Sequence, residues 1–429
     1  MSSTVYHGVP DHDWVVAARH KLIPSVYAGI CISPKQMGCP KAVGYSGPTF
    51  IAIRSGKYSS STASTHARDL HALLDLEAFH ALARTEEGSV KPVLILTVDG
   101  EPDENPRYSK VIAHAISHLK KYNLDAIFVA TNAPGRSAFN RVERRMAPLT
   151  HELAGLILSH DKFGTHLNVQ GKTVDKELEL KSFEYAGRAL AEVWSSLTID
   201  GHPVHAQYVP PGEKLDTPEE CDAKWYSRHV RESQYLLQIV KCNSHDCCSI
   251  TRSELKRVLS EGFLPPPIRV TQTTHDLVVT ENETDGSFLD LMTRISLKLN
   301  PDSRGFLQVP YDLFCQSIKS QLDWRICKTC GLYHASKKSL LHHSKHVHSQ
   351  KEDAHASNNV INIRIAARHS GEVLCVIKDP VSGCEDTEWM EETEIEADSN
   401  SDSHFIDQED IVRINNMSNR LRGPFKNED

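Results

Sequence analysis

An α/β fold is predicted by three observations, all within the stretch from Pro92 to Leu149. Val93–Val98 is an unbroken run of apolar and branched residues ending at Asp99-Gly100, the pattern of a central strand covered on both faces. Tyr108, Val111, Ile112, Ala115, Leu119 and Tyr122 then recur at helical spacing. Asp125–Thr131 reads as a second buried strand, and Pro134-Gly135 turns the chain into a helix that carries Glu143. Strand, helix, strand, helix implies a right-handed crossover between two parallel strands. Ligands collect at the carboxyl ends of strands in such open sheets, which places Asp99 at that edge. Glu143 follows Phe139 by one helical turn and flanks an expected buried stripe of Phe139, Val142 and Met146. A strand-end Asp and a helix-borne Glu converging there suit hard divalent cations, which prefer oxygen ligands.

The elements before and after this stretch extend the same fold. Leu22–Ile32 and Thr49–Ile53 read as two strands joined by a loop rich in Gly, Pro and Lys. After a Ser-rich loop at Gly56–Ser64, Thr65–Ala83 has Leu70, Leu73, Leu74, Ala78 and Ala81 on one helical face. The resulting order matches the later part of a ribonuclease H-like mixed sheet, with the strand that should open it missing ahead of Leu22. A charged helix at Val174–Trp194 leads to short strands at Val204–Val209 and Tyr235–Val240. The LPPP of Leu264–Pro267 is a rigid extended connector, and Ser287–Leu299 is expected to be helical. Five segments follow: a partial ribonuclease H-like core over 1–168, an extension with a Cys-rich segment over 169–320, a Cys2His2 segment over 325–349, a linker over 350–380 with a hairpin at Val360–Lys378, and an acidic tail over 381–429. High charge and few apolar residues predict that the tail is disordered.

Composition narrows the function classes. Glu385–Asp410 holds 12 acidic residues and no Lys or Arg, so without it the chain's formal charge moves from −8 to +4. The body is mildly basic, and the tail is either a solvating segment or a docking site for a basic partner. Eleven cysteines is an odd number, and no apolar stretch near Met1 resembles a secretory signal. Free or metal-bound thiols in a reducing compartment are therefore expected, nuclear or cytoplasmic. No segment approaches the run of about 18 apolar residues that would span a bilayer.

Cys327-x2-Cys330-x12-His343-x4-His348 has Cys2His2 zinc spacing, with Leu340 at the usual core position and His334 where an aromatic residue is usual. His342 and His346 are alternative ligands in the run HHSKHVH. If the segment reads DNA, Ser336, Ser339 and His342 fall at the base-reading positions and Lys337 and Lys338 near the phosphates. A single finger covers about 3 base pairs, so a structural or protein-binding role is an equal alternative. Cys242, His245, Cys247 and Cys248 form a second candidate cluster, with Cys242 and Cys247 as its first ligands and the distant Cys315 as a further one. Buried free cysteines are the competing reading.

Val98–Arg107 (VDGEPDENPR) and Asn132–Leu149 (NAPGRSAFNRVERRMAPL) together resemble the catalytic core of DDE-type transposases. The likeness is to a eukaryotic group of transposon-derived reading frames, many of which end in a Cys2His2 segment. It runs from about Pro10 through the Cys2His2 segment. More distantly, Pro134–Arg145 is similar to the third-acid stretch of a bacterial insertion-sequence family. The resemblance implies that Asp99 is the second catalytic acid and Glu143 the third. It also implies Mg²⁺- or Mn²⁺-assisted attack of water or a 3′-hydroxyl on a DNA phosphodiester, with two cations about 3.5–4 Å apart. The group's first acid falls upstream of Met1, and Asp11 and Asp13 come after its expected place. The expectation is therefore a zinc-binding, DNA-associated nuclear protein derived from a transposase and inactive as one. An active metal-dependent nuclease and a zinc-finger interaction module on an inert scaffold are the two alternatives. Read singly, Asp99 is a turn cap and Glu143 a solvated acid paired with Arg144 or Arg145.

Overall fold

The computed structural model describes residues 14–348, apart from 18–19, 37–38, 134, 137–138, 213, 219, 260–261, 273, 275–276, 281–285 and 300–309. Asp11 and Asp13, the Val360–Lys378 hairpin and the acidic tail lie outside the described residues.

Two open mixed sheets make up the α/β body. The first has the order β1-β2-β3-β7-β6, built from β1 (Trp14–Ala17), β2 (His20–Ala28), β3 (Thr49–Ser55), β7 (His202–Tyr208) and β6 (Thr198–Ile199). β2 and β3 are antiparallel, while β3 and β7 are parallel. The second has the order β4-β5-β9-β8, from β4 (Val93–Val98), β5 (Ala126–Thr131), β9 (Leu236–Val240) and β8 (Val230–Arg231). β4 and β5 are parallel across a helix, α3 (Ser109–Lys121), as the strand–helix–strand pattern requires. A small third sheet joins β10 (Arg269–Gln272), β11 (Leu277–Val279) and β12 (Ser287–Phe288).

The fully buried β3 shows why this sheet is covered on both faces. Phe50 and Ala52 point into a core with α1 (Ala63–Asp75), α2 (Glu77–Ala83) and α3. Ile51 and Ile53 point the other way, onto Phe183, Ala186 and Leu190 of α5 (Lys176–Ser195). The first core also takes Leu94, Leu96 and Val98 of β4 and Ile127 and Val129 of β5, so both sheets share it. A buried ion pair between Arg54 and Asp69 ties β3 to α1. Tyr27 of β2 adds its hydroxyl to the same carboxylate at 2.8 Å. α5 lies close on β7 because Gly187 has no side chain: a Cβ there would stand 2.2 Å from a ring carbon of Tyr208.

The fold corrects several expectations. A strand does precede the two that the sequence shows: β1 pairs with β2 but has four residues and an irregular register, too short to declare itself by pattern. β4 is an edge strand rather than a central one. Its inner residues face the shared core while Ile95 is 65% exposed, and an apolar outer face mimics burial on both sides. The helix expected over Thr65–Ala83 breaks at the extended Leu76, and α2 then turns Phe79 into the same core, so the apolar spacing conceals the break. Ser287–Phe288 is strand, and the helix (α8) covers only Leu291–Leu299. The boundary expected at 168/169 does not separate two bodies, since β7 and β9 complete the two sheets. No described helix is long and apolar enough to cross a membrane.

Gly187→Ala should push α5 off β7. The expected cost is about 1–3 kcal/mol, read as a lower midpoint of thermal or urea unfolding, and a neutral effect would refute the close approach.

Candidate functional site

Asp99 directly follows β4 and is exposed, and its Oδ1 accepts the Gly100 N–H at 2.6 Å. Glu143 is half-buried and opens α4 (Glu143–His151). The expected stripe of Phe139, Val142 and Met146 is not the buried face of this helix. Phe139 lies before the helix and is 67% exposed, whereas Arg145 and Leu149 are buried. The helix begins later than the spacing implied, so its inward face is rotated onto Arg145. Nη2 of Arg145 donates to the Gly47 carbonyl at 3.1 Å, and its Nη1 lies 3.5 Å from Asp200 Oδ2. Burial lowers the Arg145 pKa, which the Asp200 charge partly offsets. Arg144 stacks over the Tyr45 ring at 3.8 Å, and Arg141 lies over the same ring at 4.7 Å while donating to the Gly44 carbonyl. Arg136 lies 5.7 Å from the centre of the exposed Phe139 ring. The residues around Glu143 thus form a surface of arginines interleaved with two aromatic rings.

The turn after Asp99 folds back onto α1, which sequence reasoning missed. His66 Nε2 meets Asp103 Oδ2 at 3.1 Å and Ser61 Oγ at 2.8 Å, and its Nδ1 meets the Tyr27 hydroxyl at 2.6 Å and Glu104 Oε1 at 3.3 Å. Burial disfavours the imidazolium, but the Asp103 hydrogen bond and the Glu104 charge outweigh it and raise the His66 pKa. Burial is also the main cause of the raised Glu104 pKa. The only sequence signal for this group was the density of acids between Glu101 and Glu104.

Cys327, Cys330, His343 and His348 converge as their spacing predicts, with one ligand atom from each lying within 4.8 Å of the others. A tight turn carries the two cysteines: the Gly331 N–H bonds to the Cys327 carbonyl at 2.7 Å, and Gly331 takes the left-handed backbone (φ 74°) that favours glycine. α9 (Lys337–Val347), N-capped by Ser336, presents His343, and His348 follows at its end. His343 Nε2 lies 3.3 Å from Cys330 Sγ and 3.1 Å from His348 Nε2. A hydrogen bond from the Cys330 thiol, with the backbone N–H groups of Cys330 and Thr329, holds the Cys327 pKa down to about 3 against burial. The same hydrogen bond pushes the Cys330 thiol up, so the lowering belongs to Cys327 alone. Two thiolates and two imidazoles are a ligand set that suits zinc.

No protein-family model, curated protein or solved structure matches this chain. What the Cys/His module does must therefore be read from what it touches, and it is docked on the body through two buried acids. Glu232, just after β8, accepts hydrogen bonds from the Tyr226 hydroxyl at 2.8 Å, the Ala335 N–H at 3.0 Å and the Ser339 hydroxyl. His334 Nδ1 lies 3.3 Å from the same carboxylate. Burial opposes the charge, but hydrogen bonds from His334, Ser339 and Tyr226 outweigh it and lower the Glu232 pKa. Asp312 Oδ2 accepts the Tyr333 hydroxyl and the Gln234 N–H, each at 2.7 Å. The base-reading role expected for Ser339 is thereby corrected, because its hydroxyl is spent on Glu232. Ser336 caps the helix, while Lys337, Lys338 and His342 are exposed and the His342 ring stacks on His346 at 4.2 Å. His334, at the position where an aromatic residue is usual, and its neighbour Tyr333 form the docking surface instead.

Cys242, Cys247 and Cys248 also converge, but with His229 rather than with His245 or Cys315. His229 was missed because it lies in α6 (Ala223–His229), before β9, with no motif spacing to the cysteines.

Glu232→Gln would set an amide N–H₂ against groups that are themselves donors. The variant should lose about 3 kcal/mol, and protease should cut within 326–348 faster than in the parent. A variant as stable and as resistant as the parent would show that Glu232 does not dock the module.

Proposed function

We propose that the protein is a transposase-derived, zinc-binding nuclear protein that engages DNA through the surface around α4 and does not itself cut or join strands. The observation that carries the DNA reading is the arginine–aromatic surface beside Glu143. Arg136 and Arg144 are exposed on it, Phe139 is open to solvent, and the Tyr45 ring lies within 4.7 Å of the guanidinium carbons of both Arg141 and Arg144. Guanidinium groups neutralise phosphates, and an open aromatic ring offers a stacking platform for a base. The strand–helix–strand frame, whose first strand is followed by Asp99 and which leads into Glu143, supports descent from a transposase core. The Asp99 carboxylate capping its own turn supports the loss of catalysis.

Zn²⁺ is the ion proposed for Cys327, Cys330, His343 and His348. The inward docking of Ala335 and Ser339 favours a brace over a base-reading finger: α9 packs on α6, and only its outer face is exposed. The alternative, a metal-dependent nuclease, would need Asp99 and Glu143 to share Mg²⁺ or Mn²⁺ with a further acid.

Fluorescence anisotropy with a labelled DNA duplex tests the proposal. Affinity should fall steeply with salt, and Arg136→Ala with Arg144→Ala should weaken binding while reducing the salt slope by about 0.9 for each phosphate no longer neutralised. Absence of binding at low salt, or binding indifferent to both substitutions, would refute the α4 surface. In the same preparation, strand nicking with Mn²⁺ that disappears in Glu143→Gln would overturn the claim of an inactive site.

A further inference from the structure

A second cluster of metal-ligating side chains lies outside the Cys327 module, and its geometry is independent of it. Cys242 follows β9 by two residues, and Cys247 and Cys248 lie on a turn closed by their own N–H groups donating to the Ser244 carbonyl at 3.1 and 3.0 Å. His229, the last residue of α6, is completely buried and reaches the turn from the other side. Its Nε2 lies 3.5 Å from Cys247 Sγ and 3.3 Å from Cys248 Sγ, and one ligand atom from each of the four residues falls within 4.8 Å of the others. In a tetrahedral site with Zn–S near 2.3 Å and Zn–N near 2.0 Å, ligand atoms stand about 3.5–3.8 Å apart. The observed separations from Nε2 are close to that.

The imidazole is also oriented for a ligand's work. Its Nδ1 lies 2.7 Å from the Trp225 carbonyl, which can only accept, so Nδ1 carries the proton and Nε2 turns its lone pair toward the sulfurs. The Trp225 ring stacks on the imidazole at 4.1 Å and fixes its plane. Three thiolates and a neutral imidazole around a dication leave one negative charge. Arg228 beside Cys242, and Lys256 within the field of Cys242 and Cys248, balance it.

We propose that His229, Cys242, Cys247 and Cys248 bind a second Zn²⁺, which clamps the end of α6 to the chain leaving β9. The clamp has a consequence for the first module. α6 packs against α9 and supplies Tyr226 to Glu232, so fixing its end fixes the platform on which the Cys327 module docks. Three sulfurs and one nitrogen make this site distinct in colour from the Cys2His2 site once cobalt replaces zinc.

Metal content of the full chain, purified under reducing conditions, gives the first readout. About two zinc ions per chain are expected, falling to one in His229→Ala and in Cys247→Ser with Cys248→Ser. Because those variants alter packed residues and can misfold, the second readout uses Cys327→Ser, which removes a ligand of the other site and none of this one. With Co²⁺ as the probe, that variant should still bind one ion and show intense thiolate-to-cobalt charge transfer. One zinc per parent chain, or a Cys327→Ser protein that binds no Co²⁺, would overturn the second site. So would a zinc content unchanged by the His229 and Cys247/Cys248 substitutions. Loss of DNA binding by the α4 variants leaves all of these readings unaffected, so the two proposals fail separately.

Discussion

A single buried carboxylate, that of Glu232, decides how the C-terminal Cys/His module relates to the rest of the chain. Left unpaired, an acid in that position would be strongly unfavourable, because burial removes its water. It is instead met by a tyrosine from α6 and by a backbone N–H, a serine and a histidine from the module. Each partner is a donor, and together they leave little room for a second geometry. Asp312 repeats the arrangement one residue earlier in the module, bridging Tyr333 to the backbone of Gln234. The module is therefore continuous with the α/β body, and its fold and its orientation are enforced by the same few hydrogen bonds.

That constraint decides which faces of the module stay exposed. The residues a free finger would use to read bases are partly turned inward, so under the proposed DNA binding the basic surface of the body would matter more than that of α9. Around α4 the arginines do two kinds of work. Arg145 is buried and ties α4 to the loop before β3 through the Gly47 carbonyl. Arg141 and Arg144 keep Tyr45 in place, and Arg136 lies beside Phe139. The fold thus buries Arg145 and leaves Arg136 and Arg144 exposed.

Local pattern carried the elements, and long-range pairing carried what the pattern could not. The helix of α3, the parallel pair β4 and β5, and the buried β5 follow from apolar spacing because each depends on neighbours close in sequence. Whether β4 is central or at an edge depends on which strands lie beside it, and Ile95 looks the same in sequence either way. The four ligands of the Cys327 module were legible because a turn and a helix impose their spacing. His229 was not, because its partners arrive after two intervening strands and their connection. Glu232 carried no signal at all, since an isolated acid in a polar stretch looks solvated until the residues it receives are known. Phe139 misled for a local reason: the helix starts four residues later than the periodicity implied, and the apolar ring is left outside.

The most direct test of the docked module is hydrogen exchange on the full chain and on its Cys327→Ser variant, which loses a ligand of this module and none of the His229 cluster. If metal, module and body form one cooperative unit, exchange should quicken over 326–348 and also over 226–240, where Tyr226, Glu232 and β9 lie. Quickening confined to 326–348 would mean that the module opens on its own, and the account built on Glu232 would be wrong.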